Sequence, residues 1–327
     1  MHANGGNVAH KLLLLTREND KYRQLLAQQS LFDLEIVEDI TDHIGDRPDN
    51  SISDNIHQAD IWLAEPHLAA AMLPHATKLK WIQSTFAGVD ALMKPSLPHD
   101  YLLTNIRGVF GPLMSEYVFG YLLSNYRQHA QYTQQQHLQL WQPGQYRTLQ
   151  GLQLLILGTG SIAQHLARTA HHFGMIVSGL NRQGALVNDF DRIDTIDKLA
   201  DYIPVADVIV SVLPNTPHTT HVLNAANLCL LKADAMLFNI GRGNAIDLAA
   251  LQTELTLCPQ RRAIVDVFEQ EPLPANHPLW HCDNVTITPH IAAPSFPQQV
   301  VQIFTENYCL WQQSKPLQYI VDANQGY

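Results

Sequence analysis

Six short apolar runs punctuate the second half of the chain, at Leu154–Leu157, Met175–Ser178, Val208–Val212, Ala235–Ile240, Ala263–Val267 and Val285–Thr288. Helix-like segments separate many of them. Runs of this length that do not alternate with polar residues suit strands covered on both faces, so the pattern predicts a parallel sheet flanked by helices. Before residue 100 the alternation is more ragged, with runs at Lys11–Leu15, Ile61–Leu63 and Trp81–Gln83, and it predicts a second, smaller α/β unit. Between the two, Val118, Tyr121, Leu122 and Tyr126 fall at helical spacing. They predict one long amphipathic helix that runs into the Gln-rich stretch Gln128–Tyr146 and is ended by Pro143 and Gly144.

A length of 327 residues fits two domains, and 46% hydrophobic residues with 15% charged describe a well-packed globular chain. The net charge is −10, and the basic residues form no run that could follow a phosphate backbone, which argues against nucleic acid as a partner. Cys229, Cys258, Cys282 and Cys309 contain no CxxC pair, so neither a zinc site nor a disulfide framework is expected, and a reducing cytoplasm fits best. MHANGGNVAH lacks the basic start and apolar core of a signal peptide, and no apolar run approaches the roughly 18 residues of a membrane span.

The sharpest local signal is Leu154–Leu157 running into Gly158-Thr159-Gly160-Ser161-Ile162-Ala163, followed by an amphipathic segment with Ile162, Leu166, Ala170 and Phe173 on one side. In a strand–turn–helix context Gly158 permits the tight turn and Gly160 lets a pyrophosphate approach the backbone. Small Ala163 lets the helix pack closely while its N-terminus faces the phosphates. A glycine turn that merely packs a helix is the plainer alternative. A carboxylate for the adenosine ribose is expected about 20 residues on, where this chain reads Gly179-Leu-Asn181-Arg182-Gln-Gly184. Arg182 offers a planar fork suited to the 2′-phosphate of NADP, so NADP is expected in preference to NAD; a solvated loop arginine is the alternative.

Four further motifs follow or end apolar strands: Val212-Leu213-Pro214-Asn-Thr-Pro-His-Thr219-Thr220, Asn239-Ile240-Gly241-Arg242-Gly243, Asp266-Val-Phe-Glu-Gln-Glu271-Pro-Leu-Pro274 and Thr286-Ile-Thr-Pro-His290-Ile-Ala292-Ala293. Carboxyl ends of parallel strands face the ligand crevice, so Arg242, Glu271 and His290 are expected to converge there. Singly, each has a plain alternative: a surface ion pair, a helix-start charge, a packed histidine.

Together with Leu79-Lys-Trp-Ile-Gln-Ser-Thr-Phe-Ala87-Gly88-Val89-Asp90, Ser115-Glu-Tyr-Val118 and the terminal Val321–Tyr327, these motifs resemble the D-isomer-specific 2-hydroxyacid dehydrogenases of the glyoxylate/hydroxypyruvate reductase A type over nearly the whole chain. Ala163 for a third glycine and Ser115 for a common alanine are the departures. The resemblance implies a doubly wound Rossmann domain, residues 101–290, inserted into a flavodoxin-like substrate domain built from 1–100 and 291–327, with the active site in the cleft between them. It makes His290 the acid/base, Glu271 its carboxylate partner and Arg242 the clamp on the substrate carboxylate and carbonyl. Ala87, Gly88 and Val89 would offer backbone N–H groups to that carboxylate, and Asp266 would meet the nicotinamide carboxamide; the plainer alternatives are an ordinary turn at Gly88 and, for Asp266, a strand-end carboxylate satisfied by local amides.

Gly158, Thr159, Gly160, Ser161, Ile162, Asn181, Arg182, Leu213, Pro214, Thr219, Ile240, Gly241, Asp266, His290 and Ala292 make up the implied cofactor site. No metal is expected, and a homodimer formed by the cofactor domains and the helix after Ser115 is. Trp141 and Trp280 are read as packing residues within reach of a pocket or partner subunit. The implied reaction is reduction of a small 2-oxo acid, glyoxylate or hydroxypyruvate, by NAD(P)H. The rivals are a phosphoglycerate dehydrogenase, many of which extend into a regulatory domain, a formate dehydrogenase, which is expected to carry Gln at position 271, and a non-catalytic nicotinamide-sensing, corepressor-like scaffold.

Overall fold

The computed structural model describes residues 10–38 and 54–322. The N-terminal decapeptide, save His10, and the terminal pattern beyond Asp322 lie outside the described residues. Two compact units divide the chain, one running to Val109 and resuming at Ser295, the other spanning Phe110–Pro294.

The first unit holds five parallel strands, β1 (His10–Leu15), β2 (Leu34–Glu38), β3 (Ile61–Ala64), β4 (Trp81–Ser84) and β5 (Leu102–Thr104), in the order β2-β1-β3-β4-β5. That is the flavodoxin-like doubly wound order. Leu12–Leu15, Ile61–Ala64 and Trp81–Ser84 are buried throughout, as strands covered on both faces must be. The helix Pro297–Gln312 lays Phe304 against Trp81 with ring centroids 5.3 Å apart. Pairing of β5 with β4 carries this unit to Val109, past the boundary expected at residue 100, and the second crossing falls at Pro294, past the expected 290.

The second unit continues with β6 (Gln153–Leu157), β7 (Ile176–Asn181), β8 (Arg192–Thr195), β9 (Val208–Ser211), β10 (Met236–Asn239), β11 (Arg262–Val265) and β12 (Val285–Ile287). All pair in parallel, in the order β12-β11-β10-β9-β6-β7-β8. Counted within the unit, this is the Rossmann order 3-2-1-4-5-6 with one strand added, and the order reverses between β6 and β9. Alternate side chains serve two cores. Leu154, Ile156, Val208, Val210 and Phe238 meet Ala163, Leu166, Ala167 and Ala170 of the helix Ser161–His172. Leu155, Leu157, Ile209 and Leu237 meet Leu251 and Leu255 of the helix Leu248–Leu257.

The expected single long helix is instead two, Gly111–Tyr126 and His129–His137, broken at Gln128 in a left-handed backbone conformation, φ 58°. The first buries Val118, Phe119, Leu122 and Tyr126, whereas the Gln-rich second buries nothing, so no core contact holds it in line. Pro143 and Gly144 end no helix. The segment around them folds back, with the Gly144 N–H donating to the Tyr132 hydroxyl and the Arg127 guanidinium over the Tyr146 ring. All four cysteines are free thiols, and no helix among the described residues is long and apolar enough to cross a membrane.

Candidate active site

Where the order of the second sheet reverses, β6 delivers Gly158 with φ 95°, a conformation that a side chain strains. Its N–H donates to Leu180 O, and a Cβ there would press on the Val212 backbone. Gly160 then opens the helix Ser161–His172 with no side-chain cap, and a Cβ on it would meet nothing within 4 Å. No side chain therefore stands at Gly160 to obstruct a ligand approaching the start of that helix, the arrangement a pyrophosphate uses. Thr159 and Ser161 line the same turn, half-buried Ile162 packs on the core, and buried Leu213 with Pro214 follows β9 beside it.

Asn181, at the end of β7, spends its amide on folding the next loop: Nδ2 donates to Thr159 Oγ1 (3.1 Å) and Ala185 O (2.9 Å), while Oδ1 accepts from Gln183 N and Ala185 N. Arg182 is left exposed with no ion-pair partner among the described residues. Thr219 is similarly internal, its hydroxyl donating to Pro214 O at 2.6 Å and accepting from Thr216 N at 3.0 Å, which shapes the loop after β9.

Arg242 sits in extended backbone after β10 between two glycines pressed on neighbouring strand ends. A Cβ on Gly241 would lie 2.6 Å from Leu213 N and O, and one on Gly243 would fall onto the Phe268 carbonyl and the Glu269 N–H. The loops after β9, β10 and β11 therefore interlock around Arg242. Buried Ile240 and the Asn239 amide complete its seat, Asn239 Nδ2 donating to Arg242 O at 3.0 Å. The guanidinium Nη1 reaches back to Gly241 O at 2.8 Å.

His290 follows β12 with φ 55°. Asp266, 1% exposed, holds it there. The His290 N–H donates to Asp266 O, Oδ1 accepts from the Thr288 hydroxyl (2.6 Å) and Ile291 N (2.8 Å), and Oδ2 accepts from Ala292 N (3.0 Å). Thr288 in turn bonds the Tyr117 hydroxyl at 2.6 Å, and burial pushes that phenol well above its usual range, so it remains a donor. The imidazole itself is accessible: Nδ1 lies 2.9 Å from Glu271 Oε2, with side chains 54% and 37% exposed. The other oxygen, Oε1, accepts from Phe268 N at 2.9 Å and fixes the carboxylate.

The structure thus brings Glu271 and His290 into direct contact; Asp266 takes its plainer reading, a strand-end carboxylate satisfied by local amides, and with Ala292 it builds the His290 turn. Thr288 and Tyr117 were missed as its supports, and Asn239 as the support of Arg242. Thr288 and Asn239 stood inside motifs already singled out, yet only the fold shows their partners.

In the first unit, the turn after β4 has its carbonyls drawn inward. Phe86 O accepts from the Ser84 hydroxyl (2.8 Å), Ala87 O from Asn105 Nδ2 (2.8 Å) and Val89 O from Leu92 N (2.8 Å). The N–H groups of Ala87, Gly88 and Val89 have no acceptor among the described residues.

The turn at Gly158–Ser161 and the open position before Gly160 fit a dinucleotide, and the strand order is that of a Rossmann domain. The family model described as D-isomer specific 2-hydroxyacid dehydrogenase, NAD binding domain, matches residues 119–292, and the chain belongs to that family. It is an NAD(P)-dependent D-2-hydroxyacid dehydrogenase. Glyoxylate/hydroxypyruvate reductase A of Yersinia enterocolitica serotype O:8 / biotype 1B is 30% identical over 263 residues, 78% of this chain and 84% of that one. A D-isomer specific 2-hydroxyacid dehydrogenase family protein of Aeromonas salmonicida superposes with a TM-score of 0.88 at 46% identity, covering 96% of this chain and 99% of the other. An NADPH-dependent glyoxylate/hydroxypyruvate reductase of Sinorhizobium meliloti, solved with NADP and sulfate, superposes with a TM-score of 0.81 at 25% identity over 97% and 100% of the two chains.

Proposed function

We propose that this protein reduces a small 2-oxo acid, glyoxylate or hydroxypyruvate, to the D-2-hydroxy acid, with NADPH as the preferred reductant. The observation that carries the reading is the 2.9 Å contact between His290 Nδ1 and Glu271 Oε2, on an accessible imidazole. A dihydronicotinamide, when bound, would supply the hydride for C2. The carbonyl oxygen then needs a proton, and His290 gives it from Nε2 while Nδ1 stays on Glu271. Arg242 binds the carboxylate and polarises the carbonyl through its charged fork, and the Ala87–Val89 N–H groups are donors suited to a substrate carboxylate.

Gly158, Thr159, Gly160, Ser161 and Ile162 hold the pyrophosphate, and Asn181 shapes the loop from which Arg182 meets the 2′-phosphate. Leu213, Pro214, Thr219, Ile240, Gly241, Asp266 and Ala292 complete the cofactor wall. The names of the Yersinia and Sinorhizobium relatives support both the substrate class and the cofactor.

The fully exposed Trp141, with exposed Leu138, Leu140 and Tyr146, supports pairing of two copies as a homodimer, and exposed thiols at Cys229 and Cys309 suit a reducing cytoplasm. The test is a panel of 2-oxo acids assayed by loss of reduced-nicotinamide absorbance with NADPH and NADH. Turnover of glyoxylate or hydroxypyruvate supports the reading; a protein that binds NADPH and turns over no 2-oxo acid is the non-catalytic scaffold instead.

A further inference from the structure

A chain of hydrogen bonds leads to the Ala87–Val89 turn from a residue no motif singled out. Asn105, 3% exposed, donates from Nδ2 to Ala87 O at 2.8 Å, and its Oδ1 accepts from Arg107 Nε at 3.0 Å. The segment carrying Asn105 is itself anchored, since Asn105 O accepts from the buried Gln83 amide (3.3 Å). Gln83 Oε1 in turn accepts from buried Asn307 (3.1 Å) and Thr104 (2.8 Å).

In a trans peptide the C=O and the following N–H point in opposite directions. A carbonyl of Ala87 held inward by Asn105 therefore turns the Gly88 N–H outward. The dipoles also run head to tail, from the Arg107 cation through the Asn105 amide and the Ala87 peptide to the Gly88 proton, so each bond polarises the next toward an anion.

We propose that Asn105, polarised by Arg107, is a positioning residue that aims and strengthens the Gly88 N–H as a donor to the substrate carboxylate. The proposal rests on the reading of the Ala87–Val89 turn given under Proposed function. Asn105 touches neither substrate nor cofactor; it acts through the Ala87 peptide. Asn105→Ala removes the anchor, and Arg107→Gln, at a half-exposed position, removes only the charge that orients it.

Steady-state kinetics with glyoxylate and NADPH, and the Kd of oxalate for the NADPH-loaded protein by calorimetry, read the effect. For Asn105→Ala the glyoxylate KM and the oxalate Kd rise about ten-fold, the weight of one net hydrogen bond, and for Arg107→Gln they rise less. The KM for NADPH and kcat stay within about two-fold, a split that general loosening of the unit would not give. Unchanged KM and Kd in Arg107→Gln, or a parallel loss of kcat and NADPH affinity, overturns the proposal, and Arg107→Gln alone decides if Asn105→Ala does not fold. A wild type that binds oxalate in an Asn105-dependent way yet reduces no 2-oxo acid sinks the proposed reaction and sustains the positioning role. A wild type that binds no oxalate sinks the role.

Discussion

His290 Nδ1 and Glu271 Oε2 lie 2.9 Å apart although the two residues come from different loops, one after β12 and the other after β11. The two loops are tied to each other, His290 being held by Asp266 at the start of the loop after β11 and Glu271 by the Phe268 N–H of that same loop, so the pair is positioned by the protein itself. His290→Ala is expected to lower kcat for glyoxylate roughly 10²- to 10⁴-fold, the span for losing a general acid, with NADPH binding retained. Glu271→Gln can keep its one oxygen on Phe268 N but then turns an NH2 toward His290 Nδ1, losing the acceptor there as well as the charge; because the imidazole itself remains, it should still retain more activity than His290→Ala. Equal activity of Glu271→Gln and wild type would detach the carboxylate from the chemistry.

Arg242→Lys is expected not to be conservative, because an ammonium is a point charge where a carboxylate takes a fork. The loss should appear in kcat/KM for 2-oxo acids with the NADPH KM little altered. A lysine variant that reduces glyoxylate as well as the parent removes Arg242 from the role of substrate clamp.

The exposed Arg182 should set cofactor choice. A hydrogen bond to a charged group is worth about 1.5–3 kcal/mol, so NADPH should be preferred over NADH by roughly ten- to a hundred-fold in kcat/KM. Arg182→Ala should cost NADPH selectively. Equal use of both cofactors by the wild type would leave this arginine to solvent.

Two glycine substitutions should separate packing from ligand binding. Gly160→Ala places its Cβ where nothing lies within 4 Å, so thermal stability should hardly change while the NADPH KM rises. Gly243→Ala drives its Cβ into the Phe268–Glu269 backbone, and overpacking of this kind costs about 1–3 kcal/mol or more, so Tm and kcat should fall together. Intact NADPH affinity in Gly160→Ala would argue that no phosphate approaches that turn.

His165, whose Nδ1 lies 2.7 Å from the Ser115 hydroxyl, is held below the usual histidine range by burial and, secondarily, by the nearby Arg168 charge. The unfolded chain therefore binds this proton more readily than the folded one, and the associated stability is lost as pH falls below about 6.5. A thermal-melt series from pH 7.5 to 5 should show a shallower decline for His165→Gln than for wild type; identical slopes would assign the decline to other groups.

Much of this was legible in the order of residues. The strands β1, β3, β4, β6, β9, β10 and β11 announced themselves because a strand buried on both faces must be apolar at nearly every position, while β7 and the half-exposed β12 showed only as short runs rich in Ile and Val. β2, β5 and β8 did not, being acidic and alternating in Leu34–Glu38, three residues long in Leu102–Thr104, and polar in Arg192–Thr195. The break at Gln128 was hidden for a related reason. Helical spacing reports a face to be buried, and the Gln-rich segment has none, so its direction is set by contacts with Tyr132 and Gly144 rather than by periodicity.

What the sequence by itself determined is the chemical inventory: a glycine turn between strand and helix, an arginine between two glycines, and a carboxylate and a histidine at successive strand ends. Those are local, because the backbone conformation and the reactive group belong to a few adjacent residues. The tertiary structure alone decided the pairings between distant ones. Gly243 must be glycine because Phe268 and Glu269 lie against it, and Asp266 builds the His290 turn because parallel β11 and β12 end side by side. Asn105 holds Ala87 because β5 pairs with β4. Such contacts depend on register and strand order, which arise from packing the whole sheet and leave no mark on either residue's immediate neighbours in the chain.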